Sequence, residues 1–345
     1  MSPFSSAAKA PVGREHPEKD ARQTALPFDK VAACVDGSQV GVDVLRHASA
    51  LARVFDLPLV ILHVLESSVP EHTPQDPLDW HVQCRAAEAY LDQLVSGVAE
   101  SVPVPVEREL LHGRAAEQIC QRAAATPANL TVLGRYGEHG PSTWWLSSTA
   151  RKIVEAVPGS VLLVPDRHEA HPDDAVRYRR VMVPLDGSAV AERAVTVAAR
   201  LAESNTAELL LAHVVPPAGV ARIGPPGEGE GELERRVNEH NEQRARVYLD
   251  RLRARLRADG LSARVLVLRP ADARTRLVDL VAAERVDLVV CSAHGHSRPP
   301  ATACGSVAAY LLTHVNVPVL VLRESRRQPP AGSSGSTPRQ PVQAA

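Results

Sequence analysis

The chain has 345 residues, of which 44% are hydrophobic and 23% are charged, and its formal net charge is −1 at pH 7. This length suits about two domains, the balanced charge excludes a general field that attracts nucleic acid or anionic membranes, and no apolar run approaches the ~20 residues of a spanning helix. Five cysteines without a CxxC pair favour reduced thiols, so we expect a cytoplasmic protein without a membrane partner.

The N-terminal 28 residues contain no apolar segment typical of a signal peptide, and we expect them to be disordered. Apolar runs and helical spacings alternate after them. The predicted strands of this first unit are 31–35, 59–64, 104–110, 130–134 and 160–165, and the predicted helices are 40–55, 82–99, 115–125 and 148–157. Such alternation requires right-handed crossovers and a parallel sheet, and continuous apolar strands fit burial on both faces.

The same order of elements then repeats. The segment VAACVDGSQV resembles VMVPLDGSAV, which places Asp36 and Asp186 150 positions apart. Tyr90 and Tyr248 are 158 positions apart. The second unit therefore carries eight extra residues, which we assign to the segment 216–232 because its Pro, Gly and Glu content is typical of a loop.

These boundaries predict an α/β protein of two tandem domains, each with one five-stranded parallel sheet. The predicted parts are a tail (1–28), domain one (29–166), a polar linker (167–178), domain two (179–324) and a second tail (325–345). The second tail lacks the apolar content needed to fold, so we expect it to be disordered.

Parallel sheets of this kind bind ligands at the carboxyl ends of their strands. The first strand of each unit ends in Asp36 or Asp186, and a Gly-Ser pair follows. The serine is typical of a helix N-cap. A carboxylate is therefore expected at the mouth of each cleft.

A glycine-rich loop follows the fourth strand of each unit. Nine residues separate Gly137 from the Ser-Ser pair 147–148, and nine separate Gly295 from the Gly-Ser pair 305–306. Glycines let main-chain N–H groups approach an anion, and a helix N-terminus adds partial positive charge, so this spacing suits a phosphate chain. The alternative is a surface loop that needs glycine for a positive φ.

Together these motifs resemble the universal stress protein family, and the resemblance extends over both units. It rests on strand-DGS-helix, on a strand that ends in His-Val, and on G-x-x-G-(nine)-G-S before the last helix. It implies sheets of the adenine nucleotide hydrolase-like, Rossmann-like type that bind ATP, with or without Mg, through aspartate, a valine main chain, and the glycines and serines of the loops. The residues implied are Asp36, Val64, Gly134, Gly137, Ser147 and Ser148 in domain one, and Asp186, Val214, Ser292, Gly295, Gly305 and Ser306 in domain two.

Both units depart from the family pattern. Domain one has Ser147 where the last glycine belongs, and domain two has Ser292 where the first belongs. Because a Cβ at Ser147 lies where the helix terminus should touch phosphate, we favour domain two as the ATP site. The Ser292 hydroxyl is expected either to be accommodated or to bond the ribose.

We therefore expect a tandem universal stress protein that binds ATP or a related adenine nucleotide as a sensor in the stress response. Two alternatives are a scaffold of the same family that binds no nucleotide, and a slow ATPase. No GxxxxGK[ST] motif is present, so we expect at most weak hydrolysis. The HxH pair at 294 and 296 lacks a second ligand cluster, so no metal site is expected. The arginines of 244–257 suit a solvated helix face, so nucleic acid is not an expected partner.

The fifth strands, 161–164 and 319–322, are expected to end each sheet and to present unpaired edges. Exposed edges favour pairing with another strand. We therefore predict that the two domains pair through these strands as an internal pseudo-dimer, and that two chains associate further as a homodimer.

Overall fold

The computed structural model describes residues 26–66, 76–126, 129–136, 146–166, 176–218, 230–295 and 304–323. The first repeat contains β1 Lys30–Val35, α1 Gln39–Phe55, β2 Leu59–Leu65, α2 Pro77–Ala99, β3 Val106–His112, α3 Ala115–Ala125, β4 Asn129–Gly134, α4 Ser148–Ala156 and β5 Ser160–Val164. The second repeat contains β6 Arg180–Pro184, α5 Ala189–Asn205, β7 Glu208–Val214, α6 Glu230–Ala258, β8 Ser262–Leu268, α7 Ala273–Ala283, β9 Leu288–Ser292, α8 Ser306–His314 and β10 Val319–Leu322.

The strands form one ten-stranded sheet in the order β3-β2-β1-β4-β5-β10-β9-β6-β7-β8. Within each repeat all neighbouring strands run parallel, which confirms the predicted α/β class with a five-stranded parallel sheet per repeat. The fifth strands of the two repeats pair antiparallel, with Leu162 opposite Leu320 and Val161 opposite Val321. The described strands therefore make a single continuous sheet.

Burial of the strands explains why they form at the centre. Every residue of β5 is buried, and so is every residue of β10. Helix α1 turns Val44, Leu51 and Phe55 toward the sheet at the spacing that the sequence predicts. One buried apolar cluster lies on each face of the sheet, and each cluster contains residues of both repeats. The two halves therefore share their cores.

Two of the predicted boundaries differ from the structure. Phe28 falls inside the tail predicted as disordered, yet it is 2% exposed and its ring lies edge-on to Phe55. Tyr178 falls inside the predicted linker, yet it is also buried, with its hydroxyl 2.7 Å from His47 Nδ1. Burial of each aromatic ring removes a large apolar surface from water, which favours packing over a solvated connection. The packed cores therefore extend slightly beyond the boundaries drawn from composition.

The long helix α6 lies on the outside of the second repeat. Leu249, Leu252 and Leu256 are buried along one face, and the N-terminal turns carry exposed ion pairs, such as that of Arg235 with Glu232. This confirms a helix with a solvated arginine-bearing surface. None of the helices within the described ranges is long and apolar enough to cross a membrane.

Two arginines connect the last helices across the boundary between the repeats. Arg135, at the end of β4, is buried and donates from Nη2 to the Leu312 carbonyl of α8 at 2.7 Å. Arg323, after β10, donates to the Val154 and Val157 carbonyls at the end of α4. Each guanidinium therefore supplies a positive charge at a helix C-terminus, where the helix dipole favours cations.

Candidate functional site

Each repeat has a cavity at the point where the strand order reverses, so that later strands are added on the other side of the first strand. In the first repeat β2 lies on one side of β1 and β4 on the other, so the carboxyl ends of β1 and β4 diverge into separate loops. The cavity beside Asp36, here called the first cavity, measures 620 Å³, and the equivalent second cavity beside Asp186 measures 530 Å³. Both volumes lie within the ~300–1,000 Å³ of small-molecule sites.

The DGS segments fix the two aspartates in the same way. Gly37 and Gly187 have φ of 83° and 82°, a conformation that glycine adopts without strain. Ser188 then caps α5 by accepting from Ala191 N at 3.1 Å, and Ser38 caps α1 by accepting from Gly41 N. This confirms the predicted N-caps.

Each serine also holds its aspartate. Asp186 Oδ1 accepts from the Ser188 amide at 2.9 Å and from its hydroxyl at 2.6 Å. Asp36 Oδ1 accepts the matching pair from Ser38 at 3.0 and 2.5 Å. One carboxylate oxygen is thus occupied within its own turn, and the carboxylate has a defined orientation at the cavity wall.

Three described glycines at the ends of these loops, Gly134, Gly295 and Gly305, are required for space and not for a positive φ. A Cβ on Gly295 would lie 2.0 Å from Asp186 Oδ2, and one on Gly134 would lie 2.5 Å from Val40 Cγ1. Gly305 has φ −69°, and neither Gly134 nor Gly295 belongs to the described glycines with positive φ. The alternative that these three serve a left-handed backbone is therefore wrong.

Ser292 occupies the position that Gly134 holds in the first repeat. Its hydroxyl donates to the His294 carbonyl at 2.7 Å, so the side chain is accommodated by its own loop. Of the two outcomes expected for this serine, accommodation is the one that the geometry favours.

The starts of α4 and α8 differ in their hydrogen bonding. Ser147 is the N-cap of α4, and its hydroxyl accepts from Ala150 N at 3.1 Å. Gly305 is the N-cap of α8 and has no side chain with which to do so. Ser306, Val307 and Ala308 all line the second cavity, and the structure gives their main-chain amides no capping side chain among the residues it describes. The second cavity therefore offers more unused main-chain donors.

Two histidines that the sequence analysis did not assign to the site connect neighbouring strand ends. His63 Nδ1 lies 2.8 Å from the Val35 carbonyl, and His213 Nδ1 lies 2.7 Å from the Leu185 carbonyl. Because a carbonyl oxygen can only accept, Nδ1 is the donor in both contacts. The His-Val pair, repeated at the same offset in both units, is the sequence signal that marks these histidines.

Buried hydroxyl and thiol groups near the cavities are held neutral. Burial raises the pKa of Tyr248, and the carboxylates of Glu192 and Asp186 raise it further. Burial raises the pKa of Cys34, in the wall of the first cavity, to about 12, although Arg122 opposes the shift. Burial likewise raises the pKa of Cys291 in the second. Neither thiol is therefore a ready nucleophile near neutral pH.

The predicted site residues that the structure describes line the two cavities. Asp36, Val64, Gly134, Ser147 and Ser148 line the first cavity, and Asp186, Val214, Ser292, Gly295, Gly305 and Ser306 line the second. Gly137 and His296 lie outside the described residues. Within the described part of the chain, no three His, Cys, Asp or Glu side chains converge on a point that could hold a metal. The sequence analysis missed the apolar walls that Ile119 of α3 and Leu277 of α7 supply.

Comparison with known proteins adds the family. A family model described as the universal stress protein family matches residues 27–165 and 177–323. The universal stress protein Rv2005c of Mycobacterium tuberculosis is 26% identical over 306 residues, which cover 86% of this chain and 97% of that protein. The universal stress protein MJ0531 of Methanocaldococcus jannaschii is 26% identical over 141 residues, 40% of this chain and 82% of its own.

Solved structures agree on the fold. A universal stress protein from Archaeoglobus fulgidus matches 86% of this chain and 98% of its own with a TM-score of 0.58 at 16% identity. The functionally unknown protein PA1789 from Pseudomonas aeruginosa matches 89% of this chain and 95% of its own with a TM-score of 0.60 at 14% identity. A universal stress protein in complex with cAMP matches 40% of this chain and 97% of its own at 17% identity, with a TM-score of 0.34.

Proposed function

The chain belongs to the universal stress protein family, and from that premise we propose that its second cavity binds ATP or a related adenine nucleotide as a signal in the stress response. The observation that carries the proposal is the start of α8. Its first amides have no capping side chain, and they share one cavity with Asp186 and Gly295. A helix N-terminus in this state is a ready anion site.

The phosphate end of the ligand is assigned to Gly305 and Ser306. The N–H groups of Ser306, Val307 and Ala308 supply donors, and the dipole of α8 favours negative charge at the same place. Gly305 has its own N–H bonded to the Ala293 carbonyl at 2.7 Å, so it positions the turn while the next three residues bind. Mg, when present, would be bound by the phosphates of the nucleotide, so no cluster of protein side chains would be needed to hold it.

The nucleoside end is assigned to the opposite side of the second cavity. Asp186 would accept bonds from the ribose hydroxyls, since Ser188 holds the carboxylate in place through Oδ1. Ala212 and Leu277 give an apolar surface for the base. The main chain of Val214, at the end of β7, would meet the polar edge of adenine.

We also propose that each repeat forms one domain, with the boundaries 29–166 and 179–324 extended to include Phe28 and Tyr178, and that the two act as an internal pseudo-dimer. The antiparallel β5–β10 ladder supports this, because the edge strand of each repeat's sheet is paired with the edge strand of the other. A nucleotide bound in one repeat would then stabilise the surface that a partner protein meets.

Three measurements on the purified full-length chain test the proposal. Acid precipitation followed by chromatography of the supernatant should release adenine nucleotide. Addition of Mg-ATP at 100 times Kd should stabilise the protein by about 2.7 kcal/mol, which raises Tm by roughly 3–5 °C for a cooperative unit of this length. Phosphate release should stay at the level of the protein-free control.

Other outcomes favour the alternative functions. An unchanged Tm with no released nucleotide would reject the proposal and favour a scaffold that acts through protein contacts alone. A rise in Tm accompanied by steady phosphate release would favour the slow ATPase. A rise with GTP equal to that with ATP would contradict the assignment of the base.

A further inference from the structure

The two cavities differ in charge as well as in helix capping. We propose that the first cavity takes an uncharged nucleoside, of which adenosine is the simplest example, and discriminates against nucleotides. This inference rests on the proposed function, since it assumes that the shared architecture recognises adenosine in both repeats. It goes beyond that function by assigning the two repeats different ligands.

The first observation is the side chain of Glu66, which follows β2 and lines the first cavity. Its Oε1 accepts from Ala115 N at 2.5 Å, where α3 begins. This contact fixes a carboxylate at the cavity wall. The matching helix α7 is capped by Asp272, which does not line the second cavity. The second repeat has Pro216 at the matching position, and that residue also lines its cavity.

The charged groups of the two walls therefore differ. Asp36 and Glu66 place two carboxylates on the described wall of the first cavity. The second cavity has the one carboxylate Asp186 on its described wall, and His213 there matches His63 in the first cavity. A triphosphate carries several negative charges, so a second carboxylate disfavours it, whereas a neutral nucleoside has no charge for the carboxylate to repel.

The second observation is that α4 is already capped. Ser147 uses the Ala150 amide, at the position where α8 leaves Ala308 N open. A phosphate in the first cavity would have to compete with that hydroxyl for the Ala150 amide. The two differences act in the same direction and come from residues on different elements, the end of β2 and the start of α4.

The first cavity keeps the features that would recognise the sugar and the base. Asp36 is held by Ser38 as Asp186 is held by Ser188. Leu62, Ile119 and Ile153 supply apolar walls. The carboxylates of Asp36 and Glu66 are acceptors that suit the hydroxyls of a ribose. The first cavity therefore keeps the contacts of a nucleoside site and loses those of a phosphate site.

The test begins with the full-length double variant Asp186→Asn with Gly305→Asp, which removes the ribose contact and the phosphate contact of the second cavity and leaves the first to be measured alone. Calorimetric titration of this variant should give one site for adenosine and an affinity for Mg-ATP at least about tenfold weaker. Equal affinities for the two ligands, or no adenosine binding, would overturn the inference.

The reason for the discrimination is tested by Glu66→Gln and by Ser147→Gly, each added to that variant. The amide of glutamine keeps an acceptor for Ala115 N, so the loop should fold. Together they should tighten Mg-ATP about tenfold while the adenosine affinity changes less than about threefold. Glu100→Gln, at the far end of α2, removes an equal charge outside the cavity and should change neither affinity.

Failure of this inference is distinguishable from failure of the proposed function. If the unsubstituted chain binds two Mg-ATP with similar affinity, the nucleotide function stands and the distinction between the cavities is wrong. If the unsubstituted chain binds adenosine but no Mg-ATP, the phosphate site of the second cavity is wrong. If Glu66→Gln and Ser147→Gly leave the ratio of the two affinities unchanged, these residues do not set ligand choice.

Discussion

At the scale of single residues, small size at the loop glycines matters because other groups occupy the adjacent space. Asp186 Oδ2 lies where a Cβ on Gly295 would go, at 2.0 Å. The carboxylate and the glycine are thus packed against each other, one from the end of β6 and the other from the end of β9. A ligand bound by Asp186 depends on Gly295 for that reason.

Gly295→Ala should therefore displace Asp186 and weaken Mg-ATP binding to the second cavity by about tenfold, with a loss of about 1–3 kcal/mol in the free energy of unfolding. Calorimetry and urea denaturation measure the two effects. Gly97→Ala is the matched control, because nothing lies within 4 Å of a Cβ there. Because Gly97 lies in the last turn of α2, the substitution should raise stability by no more than about 0.5–1 kcal/mol. Unchanged ATP affinity in Gly295→Ala would contradict the role of this contact.

The thiol of Cys34 gives a pH-dependent prediction. Burial raises its pKa from 9.0 to about 12, so at pH 8 its thiolate fraction should be roughly a thousandfold below that of an ordinary thiol. Alkylation by iodoacetamide, followed by mass spectrometry, should be correspondingly slow and should rise about tenfold per pH unit toward pH 12. Cys84 on α2 serves as the internal comparison. Alkylation of Cys34 as fast as that of Cys84 at pH 8 would contradict the buried neutral state.

At the scale of elements, helix ends determine most of what distinguishes the repeats. The N-terminus of α4 is capped by Ser147, that of α8 is open, and each C-terminus receives an arginine from the other repeat. Arg135 joins two of these ends at once. Its carbonyl accepts from Ser147 N at 3.1 Å, and its side chain donates to the Leu312 carbonyl. A single residue, Arg135, therefore hydrogen-bonds to both the start of α4 and the end of α8.

Removal of one such arginine should be costly. Arg323→Met leaves the carbonyls of Val154 and Val157 without their charged donor, and should lower the free energy of unfolding by about 2–4 kcal/mol. Urea denaturation measures it. Arg251→Met on the exposed face of α6 is the control and should stay within about 0.5 kcal/mol of the unsubstituted chain. An equal, small effect for both would show that Arg323 does not anchor α4.

The sequence predicted elements better than contacts between them. Apolar spacing located α1, and the DGS motif located both N-caps, because these features depend on residues a few positions apart. The bond from Arg135 to Leu312 spans 177 positions, and no local pattern marks it. Glu66 was missed for a related reason: an acidic residue after a strand is ordinary, and its meaning comes from the position of Ala115 on another element.

At the scale of the whole molecule, the continuous sheet predicts that the two repeats unfold together. β5 and β10 share one antiparallel ladder, and both apolar clusters mix the repeats. Urea denaturation followed by circular dichroism and by tryptophan fluorescence should therefore give one coincident transition. Two separated transitions would contradict a shared core.

A substitution at the centre of the ladder sharpens this prediction. Leu162 is fully buried and lies opposite Leu320, so Leu162→Ala should lower the free energy of unfolding by about 2–5 kcal/mol. The effect should appear in the single transition of the whole chain. If Leu162→Ala instead splits the curve and shifts only one half, the repeats are separate folding units. Leu78→Ala is the control, because it makes the same substitution at an exposed position of α2.

The central claim is that open main-chain amides at the start of α8 hold phosphate in the second cavity. The most direct measurement is calorimetric titration of Mg-ATP into the full-length chain, Gly305→Ser and Gly305→Asp. Serine reproduces Ser147 and should cap the helix, which weakens binding at this site by about tenfold. Aspartate is an equally good N-cap that adds negative charge, so the fold should survive while binding at this site is lost. The same Mg-ATP affinity in all three proteins would contradict the claim.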